Sequence, residues 1–170
     1  MMTLGSLVLM RHAKSAYPLG VHDHDRPLNE RGQRDARAAG VWLDQHRHIW
    51  RDQIPKVLVS TALRAQQTWA LVNEHFDVPH QNESKIYEAT ISTLIDLVDQ
   101  DISSGQDVFI VGHNPGLEHL ALFISQKHVT PERNIAAEKF PTSGIAVVEI
   151  LDTHWSDTSA RLTSFVAPRG

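Results

Sequence analysis

The chain has 170 residues, 41% of them hydrophobic, a net charge of −4 and no cysteine. That length and apolar fraction suit one domain spanning residues 1–170, and the dispersed lysines and arginines exclude the basic face of a general nucleic-acid binder. Absence of cysteine excludes a disulfide framework, a thiolate metal site and a cysteine nucleophile. With no stretch of membrane-spanning length and no signal-like h-region, a cytoplasmic protein without a membrane partner is expected.

Leu7-Val8-Leu9-Met10 is a short apolar run that stops at Arg11-His12, as a buried strand does where it enters a loop. A polar loop follows, with Pro18, Gly20 and the run His22-Asp23-His24-Asp25. Alternating His and Asp suggest a metal cluster, but no helical i,i+4 pair supports one, and a solvated loop is the expectation. Asn29 is a candidate N-cap for a helix carrying Ala36, Ala39, Gly40 and Leu43 at helical spacing, with Gly32 and Gly40 as weak points. Val57-Leu58-Val59 predicts a second strand ending at Ser60-Thr61, and residues 62–76 a helix. Residues 91–102 form an amphipathic helix by periodicity. Val108-Phe109-Ile110-Val111 predicts a third strand, Gly112 to Gly116 a tight turn, and residues 117–124 a helix with His119 on its outer half. Phe140-Pro141-Thr142-Ser143-Gly144 is a turn by composition, in which Thr142 or Ser143 is within reach of a substrate. Residues 145–151 and 162–166 close the chain as strands.

Strands alternating with helices, the strands apolar almost throughout, predict an α/β three-layer sandwich with a mostly parallel central sheet. Ligands of such sheets collect at the carboxyl ends of the strands. Three predicted strands end in loaded turns: Arg11-His12, then Ser60-Thr61 with Arg64 one turn on, then Gly112-His113-Asn114. An Arg-His pair alone is weak, since eleven histidines and as many arginines give about 0.7 such pairs by chance. A second pair, Arg47-His48, follows no apolar strand and reads as solvated surface. Convergence of three strand ends is the stronger signal.

The blocks "LVLMRHAKS", "VLVSTALRAQQT" and "VFIVGHNPG" resemble the signature of the histidine phosphatase superfamily, the phosphoglycerate mutase-like fold. "DRPLNERGQRDA", "IYEAT" and "FPTSGIAVVEI" resemble its short SixA-type phosphohistidine phosphatases, so the resemblance runs from about residue 7 to about 151. It implies a phosphoenzyme mechanism with His12 as nucleophile, Arg11, Arg64 and His113 around the phosphoryl group, and no cofactor and no metal.

Those residue types suit the chemistry. His12 attacks as neutral imidazole, and Arg11 and Arg64 penalise the imidazolium. Guanidiniums also match phosphate oxygens in a fork. Arg26 of "DRPL" reaches the pocket rim or pairs with Asp23 or Asp25; Lys14 and Ser15 line the pocket or face solvent. Glu88 of "YEAT" decides substrate class. A general acid contributes ~10²–10⁴-fold and serves basic alkoxide leaving groups, whereas imidazole, pKa about 6.5, needs none. The expected partner is accordingly a phosphorylated protein or a small phosphorylated molecule. The resemblance implies protein phosphohistidine hydrolysis. The alternatives are a small-metabolite phosphomonoesterase with Glu88 as acid and a non-catalytic phosphoprotein-binding module.

Overall fold

In the computed structural model, which describes residues 2–51 and 53–170, six strands and five helices form one three-layer sandwich. In chain order they are β1 (Gly5–Arg11), α1 (Glu30–Gln45), β2 (Lys56–Ser60), α2 (Leu63–Phe76), β3 (Gln81–Glu83), α3 (Ile91–Ser103), β4 (Val108–Gly112), α4 (Gly116–Ile124), α5 (Pro131–Glu138), β5 (Ile145–Ile150) and β6 (Ala160–Val166). The sheet order is β3-β2-β4-β1-β5-β6. β3, β2, β4 and β1 are parallel, and β5 runs antiparallel to both β1 and β6.

Strand alternation divides the core. Leu7 and Leu9 of β1 face α3, α4 and α5 through Leu94, Val98, Leu117, Leu120 and Ala136. Val8 and Met10 face α1 and α2 through Ala39, Leu43, Trp69 and Val72. Both sets are buried, so β1 and β4 have no solvent face, which is why they read as unbroken apolar runs. Burial of each large apolar side chain contributes ~1.5–3 kcal/mol against exposure.

α1 begins as its sequence predicts: Asn29 Oδ1 accepts from the Gly32 N–H at 2.8 Å, a cap worth ~1 kcal/mol. The two glycines of α1 are sites of close approach. A Cβ on Gly32 would lie 2.0 Å from the Lys14 carbonyl oxygen, and one on Gly40 2.7 Å from that of Val72. Their low helix propensity is the cost of packing α1 against the β1 loop and α2.

Two elements were not expected. β3 is a three-residue edge strand, Gln-Asn-Glu, with no apolar residue to signal it. α5 carries sequence signals that length concealed: Thr130 caps it by accepting from the Arg133 N–H, and Pro131 occupies its first turn. Among the described residues, no helix is long and apolar enough to cross a membrane.

Because β2, β4 and β1 are adjacent and parallel, Ser60, Gly112-His113 and Arg11-His12 emerge at one edge of the sheet. β5 is antiparallel, so the turn before it, residues 140–144, arrives at that same edge.

Candidate active site

His12 is fixed from both sides of β1. Its N–H donates to the Gly112 carbonyl at 2.9 Å, extending the β1–β4 ladder by one residue. The next N–H, of Ala13, donates to Thr68 Oγ1 at 3.0 Å, and that hydroxyl donates to the Arg64 carbonyl at 2.7 Å. The imidazole is 7% exposed, and its Nδ1 lies 2.7 Å from the Ala13 carbonyl oxygen. A carbonyl only accepts, so Nδ1 carries the ring proton and Nε2 presents a lone pair. Arg64 Nε donates to that Nε2 at 3.3 Å.

The His12 pKa is lowered to about 3, chiefly by burial, then by His113, Arg64 and Arg11. Sequence reasoning assigned this depression to the arginines; desolvation leads, because the strand end is closed over by the turn and helix that hold it. His113, whose ring centroid is 5.2 Å from that of His12, is likewise lowered to about 4 by burial first and Arg64 second. Its Nε2 is 2.7 Å from Ser60 Oγ. That hydroxyl accepts from the Ala62 N–H and has its own proton to give to Nε2. The ring proton then sits on Nδ1, a buried atom without a partner.

Arg64, on the first turn of α2, is 5% exposed. Beyond His12, its Nη1 donates to the Asp23 carbonyl at 2.7 Å and its Nη2 to the Asp23 carboxylate at 3.1 Å. Arg11 Nη1 donates to the Phe140 carbonyl at 2.9 Å, while its Nε is buried without a partner. The turn at residues 140–144 is tied to the same strand end. The Ser143 N–H lies 3.1 Å from both the Arg11 and His12 carbonyls, and Arg11 N–H donates to Gly144 O. Ser143 Oγ is a third buried polar atom of this edge without a partner.

A cleft of about 730 Å³ opens beside this group, lined by Asp23, Arg64, Tyr87, Glu88, His113 and His119 among others. His12 is not part of its wall but contacts two wall residues, Arg64 and His113. Glu88 stands exposed at the rim in the left-handed conformation, φ 58°, with no hydrogen bond or ion pair among the described residues. Arg26 does not line the cleft. It donates to Asp23 Oδ1 at 3.0 Å, Ser15 Oγ at 2.8 Å and Ala16 O at 3.1 Å, and stacks on Tyr17 at 4.1 Å. His12 therefore stands against both Arg64 and His113, Glu88 shares their cleft at its exposed rim, and Arg26 is set apart from it.

Residues 22–25 are largely exposed, as expected of a solvated loop, yet they also reach the site. Asp23–Asp25 form a 3-10 turn, in which Asp23 accepts from Arg64, Arg26 and the Tyr87 hydroxyl, the last at 2.5 Å. His24 Nε2 lies 2.9 Å from Thr61 Oγ1. Tyr87 is a further residue of the site that sequence reasoning passed over, whereas Ser60 was marked as a strand end and Thr68 stood in the same block without a stated role. Each lies within a quoted motif block, yet only folding reveals its partner. No group of three or more metal-ligating side chains is present among the described residues.

A buried neutral imidazole with an unprotonated Nε2 thus stands beside an arginine and a second histidine at the carboxyl edge of an α/β sheet. The model of the histidine phosphatase superfamily (branch 1) matches residues 7–109, well over half of the chain. An uncharacterized protein of Mycobacterium tuberculosis is 40% identical over 166 residues, covering 94% of this chain and all of that one. The phosphohistidine phosphatase SixA homolog of Haemophilus influenzae is 32% identical over 120 residues, 65% of this chain and 71% of that one. A crystal structure of a proposed phosphohistidine phosphatase, SixA, from Agrobacterium tumefaciens superposes with a TM-score of 0.78 at 30% identity, over 96% of this chain and 99% of that one. The chain belongs to the histidine phosphatase superfamily and has the phosphoglycerate mutase-like fold.

Proposed function

We propose that the protein hydrolyses phosphohistidine on another protein through a phosphoenzyme on His12. The observation that carries this reading is the Nδ1–H bond to the Ala13 carbonyl, which leaves Nε2 unprotonated, its lone pair accepting from Arg64 Nε until a phosphoryl group takes that place. In the first step Nε2 bonds to phosphorus as the substrate N–P bond breaks. A substrate imidazole protonated at its distal nitrogen leaves neutral, and phosphorylated His12 keeps its own Nδ1–H. Water then attacks phosphorus, the His12–phosphorus bond breaks, and dihydrogen phosphate departs while His12 returns to neutral imidazole. Phosphoryl transfer asks for positioning and charge stabilisation, which Arg64, Arg11 and His113 supply.

Two observations support the protein substrate. The cleft reaches the surface through exposed residues such as Glu88, Thr90 and His119, which admits a side chain on a folded partner. Glu88 has no partner to hold it toward a leaving group, and an imidazole leaving group needs no acid. The test is turnover of a phosphohistidine peptide against a panel of phosphomonoesters. Hydrolysis of the peptide with little ester cleavage is expected; ester cleavage alone would make this a metabolite phosphatase.

A further inference from the structure

The mechanism above gives no task to Asp23, although its carboxylate lines the cleft and accepts three hydrogen bonds, from Arg64 Nη2, Arg26 Nε and the Tyr87 hydroxyl. We propose that Asp23 is the specificity-determining residue of this site, its carboxylate receiving the distal N–H of the leaving imidazole. This rests on the phosphohistidine reading and names what enforces it.

Arg64 supplies the geometry. Its Nε faces the nucleophile, 3.3 Å from His12 Nε2, and its Nη atoms face Asp23 at 2.7 and 3.1 Å. One rigid plane of donors thus spans from His12 to Asp23. A phosphoryl group held through Nε and Nη2, the fork that guanidinium offers phosphate, has His12 at one end and Asp23 at the other. In-line displacement drives the leaving group away from the nucleophile, toward Asp23.

The state of the carboxylate decides what it does there. Tyr87 first, then Arg26 and Arg64, hold Asp23 well below the usual carboxylate range, so it has no proton to give an alkoxide. It is an acceptor, and an ionised carboxylate has about four lone-pair positions, of which these side chains take three. Its side chain is 54% exposed, leaving the remaining position open to the cleft. The leaving group that suits such a partner brings its own N–H. Phosphohistidine protonated at the distal nitrogen does so: the N–P electron pair stays on the leaving nitrogen, the distal proton stays in its hydrogen bond to Asp23, and neutral imidazole departs. An ester oxygen would instead leave as an anion facing a carboxylate.

The test compares wild type with Asp23→Asn and Tyr87→Phe, reading kcat/KM on a phosphohistidine peptide and the inhibition constant of orthovanadate, which occupies the phosphoryl position without a leaving group. For Asp23→Asn we expect kcat/KM to fall about 10- to 100-fold, the range of one charge-assisted hydrogen bond, with vanadate inhibition as strong as before or stronger. Tyr87→Phe moves kcat/KM the same way by less. A parallel weakening of turnover and vanadate binding would overturn the proposal, because Asp23 would then only hold Arg64 in place. An unchanged kcat/KM would overturn it as well. A wild-type protein inert toward the peptide would instead refute the phosphohistidine reading, a failure visible before any variant is made.

Discussion

The chain holds two arginine–histidine dipeptides, and the structure sets them in opposite surroundings. Arg47-His48 lies in a 3-10 turn just after α1, and both side chains are exposed. Arg47 reaches Asp44 at 2.7 Å and the His75 carbonyl at 3.0 Å, surface contacts worth little. Arg11-His12 ends a strand without a solvent face. His12 is buried, its tautomer is fixed by Ala13, and its free nitrogen is met by an arginine from a neighbouring element. The same two residues thus yield chemistry only where the backbone ladder, the Thr68 hydroxyl and burial converge on the imidazole.

The largest effect should separate the two histidines. His12→Ala should lower kcat/KM on a phosphohistidine peptide by about 10⁴-fold or more, as loss of a nucleophile does, while His48→Ala leaves it unchanged; steady-state kinetics decide. The arginines sharpen the contrast. Arg64→Ala should cost ~10²–10³ in kcat, the scale of a lost donor to developing charge, and Arg47→Ala nothing measurable.

Burial of His12 also carries a stability signature. In the unfolded chain a histidine takes up its proton near pH 6.5, whereas folded His12 and His113 resist protonation until about 3 and about 4. Between those values the unfolded state binds more protons, so this contribution is complete above pH 6.5 and is lost as pH falls toward 3. Urea midpoints should therefore drop from pH 7 to pH 5, and less so in His12→Asn. Equal drops in wild type and variant would contradict the burial. The smallest effect belongs to Glu88: Glu88→Gln should slow the phosphohistidine peptide less than about tenfold, below the ~10²–10⁴ of a general acid, as peptide kinetics will show.

The frame of the site was legible because burial on both faces forces β1, β2 and β4 to be apolar, so their ends stand out where Arg11-His12, Ser60 and Gly112-His113 begin. Asn29 likewise announced α1 by its capping chemistry. What stayed hidden depends on contacts between distant segments. Asp23 meets Arg64 across 41 positions and Tyr87 across 64, and nothing local marks a loop aspartate for either partner. β3 was invisible for a different reason: an exposed edge strand of Gln-Asn-Glu is held by backbone pairing to β2 and not by side-chain burial.

The account stands on His12 as the atom that receives the phosphoryl group. The most direct measurement is to mix the protein with a radiolabelled phosphohistidine peptide, quench in alkali, where phosphohistidine survives, and map the label by mass spectrometry. The predicted result is acid-labile phosphate on His12 Nε2 that is absent from His12→Asn. Turnover of the peptide with no label on the protein, and with the configuration at phosphorus inverted, would show direct attack by water and contradict it.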